Sequence, residues 1–564
     1  MLQRNTFSYR HGRPHGHSVN PRTPRRAERL PLPACAPFHP DENPVPTPMR
    51  SIWRRLLLPC IALSASWLPP AAALAFGFDD VAAIAHARAQ SPYRDPAALP
   101  TARWLASLSY DEHRSIRYRP ARALWRDAGL PFELQFFHAG RGHLRALRLF
   151  EVHAGQARPL CIGRDAFDYG ERALPRDGGD AAEIAGFRVH FPLHRPDVKD
   201  EVIALLGASY FRAVGAGQQY GLSARGVAVD STRGAGEEFP SFDTFWIERP
   251  AAQARELVFY ALLDGPRVAG AYRFVVRPGA QTVVDVRARL YLRAPVAMLG
   301  LAPLTSMFHH GENQPVADDY RPEVHDSDGL QIATAEGEWI WRPLVNPRGV
   351  FVTSFALQQP RGFGLMQRDR AFARYEDLEA RYERRPSAWV EPLPADAAGL
   401  DAWRAGRIEL LQFHTPDETH DNVGAFWVPE PLPSPGQPLD IAWRLHWQGD
   451  AKTLPPNAHT VQTRAGVGYR EGAVEAGRVQ LHVDFDGEAL RALPAGAEVE
   501  VVVSGDANAR RLRGHAYPHV ASGGWRASIE FHRDDPRRPV ELRAFLRSGE
   551  RVLSETWSYA LPPQ

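Results

Sequence analysis

The stretch "VVDVRARLYLR", residues 283–293, sends Val284, Val286, Ala288, Leu290 and Leu292 one way and Asp285, Arg287, Arg289, Tyr291 and Arg293 the other. An α-helix cannot segregate residues with period two, so the run specifies a strand with one apolar face. Comparable runs recur at 256–263 ("ELVFYALL"), 271–278 ("AYRFVVRP"), 478–486 ("RVQLHVDFD") and 498–503 ("EVEVVV"). Turn chemistry such as "LDGPRV" and "RPGAQ" separates them. The 50 Pro and 45 Gly residues shorten elements further. Helical patterns are confined to "FDDVAAIAHARAQ" (78–90) and "YEDLEARYE" (375–383). The expectation is an all-β protein built from sandwiches or a strongly curved sheet.

A chain of 564 residues exceeds what one core ordinarily supports, so two domains are expected. Residues 1–75 are set apart from the fold. Before Met49 the sequence is rich in Pro, His and Arg without periodicity. From Met49 it shows basic residues (Arg50, Arg54, Arg55), an apolar stretch to Leu68 and a small-x-small end at Ala73–Ala75. That layout is a secretory signal peptide, and it predicts export to the periplasm. The segment "PEPLPSPGQP" (429–438) holds five prolines in ten residues and is expected to be a semi-rigid linker. It divides a large β-sandwich over 76–428 from a small immunoglobulin-like sandwich over 439–564.

A net charge of +2 over this length gives no broad attraction for nucleic acid or anionic lipid, and a neutral polar substrate suits it better. Two acidic clusters draw attention. In "TPDETHDNVGAFWVPE" (415–430), Glu418 and Asp421 precede a run of small and aromatic residues that reads as a buried strand. Burial beside aromatics raises a carboxyl pKa toward the range of a general acid. In "YRPEVHDSDGL" (320–330), Glu323, His325, Asp326 and Asp328 crowd one turn without the alternation of a calcium loop. His309 and His310 lie upstream, but no ligand pair has the helical spacing of a zinc protease, and neither metal nor cofactor is expected. Aromatic and guanidinium residues gather in "GEWIWRPL" (337–344) and "ARYEDLEARYERRPSAWVEP" (373–392), which makes Trp341, Arg385 and Trp389 candidates for a glycan groove. Most such tryptophans are core residues in any β protein. "GASYF" breaks the nucleophile-elbow pattern, and no phosphate-binding or dinucleotide motif is present.

The segments "LGASYFRAVG", "QYGLSARGVAVD", "GEEFPSFDTFWIERP", "LAPLTSMF", "YRPEVHDSDGL", "GEWIWRPL", "GFGLMQRDR", "RRPSAWVEP" and "DETHDNVGAFWVPE" together resemble the periplasmic glucan biosynthesis proteins of the G/D type. The resemblance runs from about residue 76 to the closing "LSETWSYALPP". It implies a galactose-mutarotase-like large sandwich followed by the small one. It also implies action on β-1,2-glucan by inverting hydrolysis or transglycosylation. Carried over by motif, Asp421 in "ETHDN" is the general acid, and Asp326 in "VHDSD" is the base, acting through water and hydroxyls. Tyr382 in "ARYERRPS" falls in that relay and in the groove. Independently of the resemblance, Glu418 is a further candidate for substrate binding. The implied partners are the glucan and the inner-membrane glucan synthase, for which a non-catalytic, glucan-binding scaffold is the alternative role. Inversion needs an acid and a base on opposite faces of one ring, and 95 residues separate these two aspartates.

Overall fold

The structure, a computed structural model, describes residues 75–564 except for 96–98, 100–101, 141–142, 171–179, 235, 395–401, 450–452, 471–472 and 495. The signal-peptide reading therefore concerns residues outside the described part. Among the described residues no helix is long and apolar enough to cross a membrane.

The chain is all-β. The alternating run forms the strand Thr282–Leu292, with Val284, Val286, Ala288, Leu290 and Leu292 buried as the period-two pattern demands. It pairs with Val268–Arg277 on one side and Pro438–Gln448 on the other, inside a 15-stranded sheet. A 10-stranded sheet faces it, running from Glu133–His138 through Leu299–Ser306, Val423–Pro429 and Ala405–Gln412 to Phe351–Gln358. Their inner faces meet ring to ring. Phe187 packs edge-on against Phe245 and Phe259, and Phe211 against Phe274 and Trp447. Each such buried side chain stabilises the sandwich by about 1.5–3 kcal/mol relative to exposure.

The outer face of the alternating strand is less solvated than its sequence suggests. The helix Phe78–Ala89 lays Phe78, Val81, Ala82 and Ala85 against Trp246, Tyr260, Leu262, Ala271 and Tyr291. The charges beside it pair across strands, Asp285 with Arg277 and Arg444, and Arg289 with Asp440.

Two expectations are corrected. "YEDLEARYE" forms no α-helix: 3-10 turns at Phe372–Arg374 and Tyr382–Arg384 flank an irregular stretch with Glu376 and Arg381 in the left-handed region. Tertiary demands override its good helix formers. Tyr375 and Tyr382 must both be buried, and Asp377 Oδ1 accepts hydrogen bonds from the Glu379 and Ala380 amides. The boundary also moves. The segment 429–438 joins Val423–Pro429 in one large sheet to Pro438–Gln448 in the other, so it is a crossover within the large sandwich. Prolines exclude ladder donors from any connection, so their density does not tell a crossover from an interdomain linker.

Beyond Gln448 a four-stranded sheet (His459–Arg470, Ala473–Asp486, Gly524–Arg533, Ala509–His519) shares a core with Glu500–Gly505, Val540–Ser548 and Thr556–Leu561. The last three strands extend the 15-stranded sheet, because Thr556–Leu561 pairs in parallel with Trp339–Pro343. The small sandwich thus shares a sheet with the large one instead of hanging from a linker.

Candidate active site

Asp326 follows the short strand Val324–His325, and Asp421 stands two residues before the central strand Val423–Pro429. One stretch of backbone holds both. The Asp326 amide donates to the Met307 carbonyl at 2.8 Å. At the next residue, the Phe308 amide donates to Asn422 Oδ1 at 2.8 Å, and Asn422 Nδ2 donates to the carbonyls of Phe308 and Phe413 at 3.0 and 2.9 Å. Asn422 is fully buried, so its amide satisfies backbone groups that would otherwise be costly to bury. Two aspartates 95 residues apart in sequence therefore hang from Met307–Phe308.

Their carboxyls are inside the protein. Asp326 has no exposed surface and Asp421 retains 7%. Arg385 Nη1 forms an ion pair with Asp326 Oδ1, and its guanidinium lies over the Tyr382 ring, 4.1 Å from the centroid. Arg212, from the strand Tyr210–Ala213, reaches to 3.5 Å from Asp421 Oδ2. Among the described residues no hydrogen bond reaches Asp326 Oδ2 or Asp421 Oδ2. Asp421 Oδ2 keeps only the longer ion-pair contact with Arg212.

Burial pushes the Asp421 carboxyl up to about 6; Arg212 and Arg385 oppose the rise, and the negative charge of Asp326 adds to it. Asp326 and Asp421 thus feel one another, with Arg385 common to both. Burial also raises the Tyr382 hydroxyl, whose environment includes Arg385, Glu418 and Asp326. A carboxyl that is half protonated at about pH 6, beside a second carboxylate held against a guanidinium, can donate one proton while its neighbour orients an acceptor.

Behind Asp326 the support is dense. His325 bonds to Glu323 and Gln367, each at 2.9 Å, and stacks on Phe308. Gln367 Nε2 donates to the carbonyls of His325 and Tyr382, which ties the Asp326 segment to the Tyr382 turn. Glu418 accepts a 2.6 Å hydrogen bond from Arg321, which also binds Asp319 and Asp377. Asp421 borders a recess walled by Tyr210, Arg225, Glu237, Phe239 and Phe413. Asp326 does not line that recess, and its link to Asp421 runs through Arg385 and Met307–Phe308.

The groove candidates divide. Tyr382 and Arg385 stand at the aspartates, whereas Glu418 is held by Arg321 within the field of Tyr382. Trp341 and Trp389 are buried in the core shared with the small sandwich, Trp341 with the Arg368 guanidinium 3.6 Å from its ring centroid and Trp389 stacked on Trp339. A Cβ on Gly329 would lie 2.2 Å from the Trp341 ring, so the glycine lets that indole press onto its neighbouring strand. Such faces are covered and offer no platform to a sugar. Sequence reasoning missed Arg212 and the clamping role of Asn422. Arg212 stands in "SYFRAVG", an arginine amid apolar strand residues, which is the one local sign of a partly buried charge.

An all-β protein with two buried, electrostatically linked aspartates under a tyrosine–arginine stack is the class these features define. The sequence profile of the family described as "Periplasmic glucan biosynthesis protein, MdoG" matches residues 76–561, and the chain belongs to that family. It is 51% identical over 498 residues to the "Glucans biosynthesis protein G" of Ralstonia nicotianae, covering 87% of this chain and 97% of that one. Proteins of the same name from Pseudomonas paraeruginosa (46% over 497 residues, 86% and 93% coverage) and Pectobacterium atrosepticum (42% over 515 residues, 90% and 97% coverage) are also similar. A role in glucan biosynthesis follows from membership.

Proposed function

We propose that the chain acts in the periplasm on the β-1,2-linked glucan backbone, by inverting hydrolysis or by transglycosylation. Asp421 protonates the departing glycosidic oxygen. Asp326, charged against Arg385, receives the proton of the incoming nucleophile through intervening water or hydroxyls, with Tyr382 beside the path. Water as nucleophile gives hydrolysis, and a sugar hydroxyl gives transfer. The observation that carries the reading is the Asp421 carboxyl, buried and pushed up to about 6 within the field of a second buried aspartate.

The competing reading is a glucan-binding scaffold for the inner-membrane glucan synthase. The complete enclosure of Asp326 and its ion pair with Arg385 favour it, since a pinned carboxylate suits holding as well as activating. Incubation of the purified chain with linear β-1,2-glucan, followed by mass spectrometry of chain lengths, separates the two. Redistributed or shortened chains support the enzyme, and unchanged chains at high protein loading support the scaffold.

A further inference from the structure

Away from the aspartate pair, His309, His310 and Asp319 bring one ligand atom each to within 4.8 Å of one another. The strand Phe308–His310 carries both histidines, and the loop that follows returns Asp319 to them. We propose that these three residues bind a divalent transition-metal cation of the zinc type, which fastens the loop 311–321 at the rim of the candidate active site.

Three observations carry the assignment. The Nδ1 atoms of His309 and His310 are 3.0 Å apart. Two imidazole nitrogens on a tetrahedral zinc, each at about 2.0–2.1 Å, stand about 3.3 Å apart, so the pair needs only a small opening to accept the ion. His310 Nε2 lies 3.1 Å from the Arg321 carbonyl. A carbonyl can only accept, so that ring nitrogen carries the proton and Nδ1 presents its lone pair to His309 and Asp319. Metal-ligating histidines are oriented by this same kind of hydrogen bond.

The third observation is charge. Arg321 is shared by Asp319, Asp377 and Glu418, so three carboxylates face one guanidinium and the neighbourhood keeps an excess of negative charge. Arg321 occupies both oxygens of Asp319, through its amide and Nε on Oδ1 and its Nη2 on Oδ2. Oδ1 already accepts two of these bonds, whereas Oδ2 takes Nη2 and, at 3.3 Å, a weak approach from Nε, so a cation can join on the remaining direction of Oδ2 without displacing the arginine. Two imidazoles and one carboxylate suit zinc, cobalt or nickel better than calcium or magnesium, and a solvent ligand would complete four-coordination.

The consequence for the site is positional. The metal joins the strand beside Asn422 to the loop whose Arg321 holds Glu418, three residues before Asp421. The proposal does not depend on the glucan reading, because its readout is metal binding.

The test is calorimetric titration of Zn²⁺ into chelator-treated, untagged full chain, repeated on His309→Ala and Asp319→Asn. Co²⁺ serves as the spectroscopic probe. His309 is half-buried, so its variant keeps the fold even where His310→Ala does not. All other histidines are common to parent and variants, so the difference reads this site alone. The expected result is one tight equivalent in the parent, at least a tenfold loss of affinity in each variant, and a tetrahedral Co²⁺ visible spectrum that both variants lose. Equal affinity in parent and both variants, or no tight equivalent in the parent, overturns the proposal.

Discussion

Replacing Asp421 by Asn removes the proposed proton donor while leaving the shape of the side chain intact. The expected loss of turnover is about 10²–10⁴-fold, the usual contribution of a positioned general acid. The effect on stability has the opposite sign. The ordinary aspartate value is 3.8 and burial pushes Asp421 to about 6, so at neutral pH the folded protein holds an ionised carboxylate that the unfolded chain tolerates better. A raised carboxyl pKa means that folding favours the proton. The cost is fully present above the folded value and fades as pH falls toward 3.8. Each unit is worth 1.36 kcal/mol, so the ionised group costs on the order of 3 kcal/mol above pH 7. The Asn variant escapes that cost, less a smaller loss from leaving Arg212, 23% exposed, without its partner at 3.5 Å. It should therefore melt a few degrees above the parent at pH 7.5, with the gap closing near pH 4. The assays are chain-length analysis on linear β-1,2-glucan and thermal melts across pH 4–8. A variant that turns over like the parent, or that melts lower at pH 7.5 and equal at pH 4, refutes the reasoning.

Other substitutions probe the supports. Arg385→Met leaves Asp326 buried without its counter-charge and should destabilise the fold by about 3–5 kcal/mol, seen as a lower denaturation midpoint; an unshifted midpoint would mean the ion pair is not formed. Asn422→Ala orphans the amide and carbonyl of Phe308 and should cost about 1–3 kcal/mol together with most turnover, since both aspartates depend on that backbone. Trp341→Ala should cost about 3–5 kcal/mol by opening the shared core, and the surviving folded fraction should retain the parent's glucan affinity. Weakened affinity in that fraction would return Trp341 to the groove.

Local patterns revealed the architecture to different depths. The alternation at 283–293 identified a half-buried strand because its register is fixed by one apolar face, yet it could not announce the helix Phe78–Ala89 lying on the other. "YEDLEARYE" misled because helix propensity is a weak prior, and the burial of Tyr375 and Tyr382 outweighs it. The proline run at 429–438 marked a connection without saying what it connected. The aspartate pair was legible only through family resemblance, since no spacing rule joins residues 95 apart. Arg212 illustrates the same limit: its role depends on where its sheet places it, and nothing in "SYFRAVG" says that Asp421 is opposite. Trp341 and Trp389 show the reverse error, in which composition suited to sugar binding serves the core.

Anomer-resolved proton NMR of the first turnovers on linear β-1,2-glucan is the most direct test of paired action by Asp421 and Asp326. If water is the nucleophile, new reducing ends appear first as the α-anomer; if a sugar hydroxyl is, chains redistribute with α-configured new linkages. In both cases Asp326→Asn and Asp421→Asn abolish the signal. New ends or linkages that form first in the β configuration, or activity that survives both substitutions, would contradict the account.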